Sequence, residues 1–302
     1  MTTQSGPPAG RAGVIHDIGY RHYEGPRLGR AAIIRALGWH SLRSAFGVGR
    51  GAKAKIIPVI AFVLICVPAV VNSISLATHG GQVVYYDTYV FQLRVLVMIV
   101  FVGAQAPELV SRDLRSHVLP LYFSRPLRRL DYPAAKLGAF VLACLVLLDV
   151  PLLLLYLGAV TQAHSGAAVW DQTRALIPGL LVGLAWAVLL ASIGLALASL
   201  SGRRAYATGS VAICFLLSWA LAGLLSGVTS ENGAGAGAGA RLSGLVSPFT
   251  VLDGLRQWLG DTSPGPNPPP GNLGPLYGVM FLLMLAAAVG GLAARYRKAG
   301  VA

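Results

Sequence analysis

Acidic residues and cysteines are scarce in this chain, and their scarcity narrows the classes of protein to consider. Only 11 of its 302 residues are Asp or Glu, and only three are Cys. Cys66, Cys144 and Cys214 lie inside apolar segments without CxxC spacing. They therefore indicate small buried side chains rather than metal ligands or a disulfide set. We expect no bound metal and no cofactor.

Motifs of several large enzyme classes are absent as well. The sequence contains no GxxxxGK[ST], HExxH or GxSxG, the patterns that cradle phosphates, bind catalytic zinc and present a nucleophilic serine. The N terminus has no apolar stretch followed by a small-residue cleavage site, so it does not fit a secretory signal. We expect a protein that is not an enzyme and has no catalytic residue. If it uses ATP, another chain hydrolyses the nucleotide.

Six long apolar runs dominate the rest of the sequence. Each has about 20 residues, enough for a helix rising 1.5 Å per residue to cross a hydrocarbon layer about 30 Å thick. Backbone amides in lipid must be satisfied within their own segment, so such runs indicate transmembrane helices. The sequence predicts an all-α integral membrane protein with six spans, at 56–76, 89–109, 137–160, 176–200, 207–226 and 276–294.

Positive charge is unevenly distributed among the connecting segments. Twenty of the 24 Lys and Arg residues lie before the first run, after the second and fourth runs, or in the C-terminal tail. Because basic residues concentrate on the cytoplasmic side, both termini and the loop 110–136 are predicted to be cytoplasmic. The net charge of +13 then faces anionic headgroups. No basic segment is interleaved with aromatic residues, so we expect no nucleic-acid partner.

The chain before the first span divides into two parts. Residues 1–28 predict a disordered cytoplasmic tail, and 29–302 form the membrane domain. Trp39, Leu42 and Phe46 fall on one side of a helix with polar residues opposite. This pattern is typical of an amphipathic helix at the membrane surface, with a bend expected at Gly38. An ordinary cytoplasmic helix is the alternative.

The segment 227–275 is predicted to be extracellular and has three parts. A glycine–alanine run at 233–240 indicates a flexible connector. The apolar stretch 245–259 is too short to span a bilayer and predicts an extracellular or re-entrant helix. The stretch 265–275 is rich in proline and glycine, which favours an extended conformation.

Three ionisable residues, Arg94, Glu108 and Asp149, lie within or at the ends of predicted spans. A charge at the bilayer centre costs roughly 2.5–3.5 kcal/mol on insertion scales, so it normally faces protein or water and finds a partner. Arg94 and Asp149 have opposite charges and differ in depth by roughly 8 Å. They form either an interhelical salt bridge or a pair that lines a substrate path.

The loop 110–136 carries an ordered pattern. Leu114, Val118, Leu121 and Tyr122 recur at helical spacing, which indicates short amphipathic helices. Ser124–Arg125–Pro126 then ends the helical pattern, because proline disfavours the helical conformation in the residue before it. The stretch Glu108–Lys136 reads ELVSRDLRSHVLPLYFSRPLRRLDYPAAK.

This stretch resembles the permease subunits of type-2 ABC exporters. In that family a cluster of acidic and basic residues follows the second span, and a leucine-rich turn, a Ser-x-Pro-x-x-Arg stretch and a lysine come next. Six spans, a basic interfacial element and the segment PFTVLDGLR before the last span also fit. The matching residues are Arg112, Asp113, Leu119, Leu121, Ser124, Arg125, Pro126, Arg129 and Lys136, with Arg115 and Tyr122 in the same loop.

The resemblance implies a mechanism and a set of partners. Two permease subunits, identical or different, would pair around a central path in the plasma or inner membrane. Separate ATP-binding subunits would dock beneath them, and the loop 110–136 would couple ATPase closure to helix movement. Cargo could be a drug, lipid, peptide or ion.

Two other classes remain open on the sequence alone. An ATP-independent secondary transporter typically has inverted repeats with broken helices, and no internal duplication is visible. A membrane scaffold or assembly factor would need no transport path.

Overall fold

The structure is a computed structural model that describes residues 29–79, 86–116, 127–230, 238–259 and 270–298, together with Gly25 and residues 118, 120, 122 and 124. Nearly all of the predicted disordered tail, most of the glycine–alanine run and residues 265–269 of the proline-rich stretch lie outside these residues. The proline-rich stretch is helical from Gly271 onward, so the extended conformation predicted there is wrong. In the described part of the chain the regular elements are all helical. They are α1 (Arg30–Ala45), α2 (Ala52–His79), α3 (Tyr86–Arg115), α4 (Asp131–Thr161), α5 (Gly166–Ala198), α6 (Arg204–Ser230), α7 (Ala238–Ser243), α8 (Pro248–Trp258) and α9 (Gly274–Lys298), the last preceded by a 3-10 turn at Gly271–Leu273.

Within the described ranges six helices, α2 to α6 and α9, are long and apolar enough to cross a membrane. They confirm the six predicted runs and define a multi-pass membrane protein. Most of them extend beyond the apolar run at both ends, because helical hydrogen bonding does not require apolar side chains. α5 differs: it starts at Gly166, where the Ser165 hydroxyl accepts a hydrogen bond from the Ala168 amide at 3.2 Å, and it ends at Ala198.

α3 lies at the centre of the bundle. It contacts α2, α4, α5 and α6, and 89% of its spanning window is buried, against 17% for α6 and for α9. Met98, Phe101 and Val102 of α3 are fully buried. Gly194 brings α5 so close that a Cβ there would stand 2.3 Å from the Val102 Cγ1 atom.

α1 is one continuous helix that lies against the start of α4. The helix is not interrupted at Gly38, where a Cβ would stand 3.9 Å from the Ala135 carbonyl oxygen. The predicted apolar face is divided. Leu42 and Phe46 pack partly buried against the core, whereas Trp39 is 63% exposed.

The turn from α1 into α2 depends on two glycines. Gly47 and Gly49 have φ angles of 69° and 83°, in the left-handed region that side chains disfavour. A Cβ on Gly47 would also stand 2.6 Å from the Ala54 carbonyl oxygen. This tight turn places Arg50 beside the end of α3.

α8 lies inside the bundle and forms part of the predicted helix 245–259. Ser247 caps it by accepting a hydrogen bond from the Phe249 amide at 3.3 Å, and Pro248 opens its first turn, a position that suits proline. The Phe249 ring packs against Trp186 of α5 and Phe215 of α6, with centroids 5.6 and 5.4 Å apart. α8 therefore fills one end of the bundle between α5, α6 and α9.

Candidate functional site at the basic end of the bundle

Charged contacts concentrate at the end of the bundle where α3 ends and α4 begins. We call this region the basic end. Its ion-paired residues are Arg30, Arg50, Glu108, Asp113, Asp131, Lys136 and Arg204.

Glu108 joins three elements through one carboxylate. It is 8% exposed near the end of α3. The Arg204 Nη1 atom at the start of α6 lies 2.5 Å from Oε1, and the Arg50 guanidinium donates to Oε2. Two cations from separate elements thus neutralise the buried charge, as a carboxylate removed from water requires.

Asp113, near the end of α3, anchors the first turns of α4. The Lys136 Nζ atom lies 2.9 Å from its Oδ2 atom, and the Tyr132 hydroxyl donates to the same oxygen at 2.6 Å. The Tyr132 ring packs between Tyr122 of the loop and Tyr296 of α9, with centroids 5.5 and 5.2 Å away. One polar and aromatic cluster therefore connects the loop with α3, α4 and α9.

Asp131 connects the first turn of α4 with α1. The Arg30 Nε atom donates to its Oδ2 atom at 2.6 Å, and the Arg128 amide donates to the same oxygen at 2.8 Å. The hydrogen bond to Asp131 raises the pKa of the Arg30 guanidinium. A carboxylate in the first turn also interacts favourably with the helix dipole.

The predicted loop residues fall into two groups. Asp113 and Tyr122 face the bundle, whereas the side chains of Arg112, Arg115, Ser124 and Arg129 are exposed. The Arg129 Nη1 atom reaches the Arg297 carbonyl oxygen at 3.4 Å. Leu119, Leu121, Arg125 and Pro126 lie outside the described residues.

Sequence reasoning missed most partners of these acids. The sequence analysis used Arg30, Arg50 and Arg204 only to predict the orientation of the chain. It predicted no role for Tyr132 or Tyr296. The available signal was their position: all of them except Arg30 lie within a few residues of the end of a predicted span.

Within the membrane-spanning part, Arg94 points into the bundle and is 1% exposed. Its Nη2 atom donates to the Leu148 carbonyl oxygen at 3.3 Å, and its guanidinium carbon lies 5.8 Å from the centroid of Trp186. The residue after Leu148 is Asp149, whose carboxylate lies against Gly183 of α5: a Cβ there would stand 2.1 Å from Oδ1. The two intramembrane charges thus lie where α3, α4 and α5 meet, and Arg94 binds the backbone of the helix that carries Asp149.

Comparisons of the chain with known proteins do not identify its family. The chain matches no protein-family model and no curated protein. Among the described residues, no group of three or more His, Cys, Asp or Glu side chains could hold a metal ion.

Proposed function

We propose that this chain is the membrane-spanning permease subunit of an exporter driven by a separate ATP-hydrolysing subunit. The loop between α3 and α4 docks on that subunit and transmits its movement. The observation that supports this role best is the Asp113–Tyr132–Lys136 cluster at the base of the loop. An orientation signal needs only exposed positive charge, but here polar contacts join α3 to α4 at the base of the loop, and the Tyr122 ring of the loop packs on this cluster.

The cluster gives the loop a mechanical connection to the bundle. When the ATPase dimer closes on ATP, it displaces the tip of the loop. Asp113 carries the displacement into α3, Tyr132 and Lys136 carry it into α4, and the Tyr132–Tyr296 contact carries it into α9. Glu108, bound by Arg50 and Arg204, extends the connection to the turn before α2 and to α6.

The proposal also fixes the placement of the chain. The basic end faces the cytoplasm of the cell that carries the protein in its plasma or inner membrane, and two permease subunits, identical or different, pair around the path. α1 lies along the cytoplasmic surface with the exposed Trp39 ring at headgroup depth, where aromatic side chains are favoured. ATP hydrolysis occurs on the partner, and Arg94 and Asp149 lie in the helices that move.

Purification in mild detergent, with charge substitutions in the loop, tests the proposal. We expect the tagged wild-type chain to co-purify with a subunit that contains a phosphate-binding P-loop and hydrolyses ATP. Leu119→Asp and Leu121→Asp place a charge on the docking face, so they should reduce association or uncouple hydrolysis from export. Tyr122 is a poorer target because its ring packs on Tyr132. Arg128→Lys keeps the charge and serves as the matched control.

Membrane insertion and melting temperature must be unchanged for these variants to be informative. The loop has no coupling role if both Asp variants insert normally, retain the ATPase and export at the wild-type rate. A wild-type chain that transports cargo with no associated ATPase would identify a secondary transporter instead.

A further inference from the structure

A groove runs along the outer surface of the bundle between α1 and the first turns of α4. Its volume is about 580 Å³, within the range typical of ligand clefts. Ile34, Trp39 and Leu42 line it from α1, and Leu142 lines it from α4. Gly138 forms its floor, and a Cβ at this position would meet no atom within 4 Å. The groove is therefore apolar and open.

The direction of the groove suits a lipid chain. It extends along α4 from Asp131 to Leu142, roughly 16 Å at 1.5 Å per residue. Because α4 is one of the six helices that can cross a membrane, the groove runs from the end of the spanning segment towards its middle. Leu142 is more than half exposed and lies at the deep end, so the groove opens onto the hydrocarbon of the bilayer.

The charged residues that line and flank the groove have a net positive charge. Asp131 lines it, but the Asp131 carboxylate is already bound by the Arg30 side chain and the Arg128 amide. Arg35, which also lines the groove and is exposed, adds a further cation. An anionic group complements this charge, and the indole of Trp39, which also lines the groove, is typical of the headgroup region.

We propose that the α1–α4 groove binds one phospholipid with an anionic headgroup. One acyl chain lies over Gly138 and along Leu142, and the phosphate lies beside Arg35. The inference depends on membrane insertion and on α1 lying at the membrane surface, but not on docking of an ATPase. A second copy of the chain or a segment of another protein would compete for the same groove.

Native mass spectrometry of the full-length chain, incubated in mild detergent with equal amounts of dioleoyl phosphatidylglycerol and dioleoyl phosphatidylcholine, tests the site. We expect wild type to retain one phosphatidylglycerol in preference to phosphatidylcholine. Gly138→Leu fills the floor and should lower the occupancy at least tenfold. Gly290→Leu on α9 is the matched control, since a Cβ there also meets no atom within 4 Å, and it should bind as wild type does.

Arg35→Gln tests the headgroup contact without filling the groove. It should keep the bound lipid but lose about fivefold of the preference for the anionic headgroup, the effect of one basic residue near a charged membrane surface. Arg43→Gln, an exposed arginine of α1 outside the groove, should keep the full preference.

Three results would overturn the site: a wild-type chain without retained lipid, equal occupancy in Gly138→Leu, or an unchanged headgroup preference in Arg35→Gln. If a second copy of the chain or another protein covers the groove, the wild-type chain will retain no lipid. If Gly138→Leu does not fold, the headgroup preference of Arg35→Gln alone tests the site.

Discussion

α3 and α6 are both membrane-spanning helices, yet they occupy opposite environments. α3 is the least apolar of the six spanning helices, and 89% of its spanning window is buried, against 17% for α6. The α3 helix carries Arg94, Gln105 and Glu108 in buried positions, whereas Leu217 and Leu224 of α6 are about two-thirds exposed. Polar side chains are tolerated in α3 because protein groups, not lipid, surround them.

The difference shows how an inner helix can be recognised in a membrane protein. Lipid is as apolar as leucine, so helices gain nothing by burying apolar side chains against each other, and packing and polar contacts hold them together. A helix with reduced hydropathy and several charges is therefore a candidate for the centre of the bundle. A helix that is apolar all round, such as α6, can face lipid or a second subunit.

The largest expected effect comes from overpacking the contact between α3 and α5. Gly194→Leu inserts a side chain where even a Cβ would stand 2.3 Å from the Val102 Cγ1 atom. Adding methylenes to a packed core costs typically about 1–3 kcal/mol, and more where the backbone must move, so we expect a loss of about 3 kcal/mol or more. Thermal unfolding in detergent, followed by size-exclusion chromatography, measures it.

The matched control is Gly223→Leu on α6, where a Cβ meets no atom within 4 Å. It should melt within a degree or two of wild type, because a surface change of this kind stays within about 0.5 kcal/mol. Equal destabilisation by the two variants would contradict the assignment of α3 to the centre and α6 to the periphery.

Neutralising the intramembrane charges gives the second effect in size. Arg94→Met removes a buried cation that interacts with the Asp149 carboxylate, and Asp149→Asn removes a negative charge that interacts with the Arg94 guanidinium. Each single change should destabilise by about 1–3 kcal/mol, the cost of an unsatisfied buried polar group. The double variant should lose less than the two singles combined. Strictly additive losses, measured by the same melting assay, would show that the two charges do not interact.

Substitutions at Glu108 and Arg204 should give the smallest effects on stability, and the effect at Glu108 should be the larger of the two. Glu108→Gln removes a buried charge that two arginines bind, so it should cost about 1–2 kcal/mol. Arg204→Gln removes only one of those arginines, whose side chain is 64% exposed, and should cost about 0–1 kcal/mol. A larger loss for Arg204→Gln than for Glu108→Gln would mean that Glu108 is not the centre of the contact.

The number and place of the spans could be predicted from the sequence, because apolar runs long enough to cross a bilayer usually form transmembrane helices. The helix ends could not: α3 continues to Arg115 and α4 starts at Asp131, since helical hydrogen bonding does not require apolar side chains. The spacing in α1 identified Trp39, Leu42 and Phe46 as a face. It did not reveal that a different face, formed by Leu37, Ser41 and Ala45, is buried in the bundle.

The partners of the buried charges were the least predictable feature. Glu108 stood out because it is an acid at the end of a span. Its contacts with Arg50 and Arg204 depend on the tight turn at Gly47 and on how α6 packs beside α3, and neither follows from local spacing. Coupling to an ATPase and the orientation of the chain remain predictions.

Site-specific photo-cross-linking tests the central claim most directly, because it compares the two ends of the bundle in one assay. A photoreactive residue replaces Ser124, exposed in the loop at the basic end, or Leu259, 70% exposed next to α8. The account predicts a covalent adduct with an ATP-hydrolysing subunit from position 124 and none from position 259. An adduct from position 259 alone, or from neither position in cells that export the cargo, would contradict it.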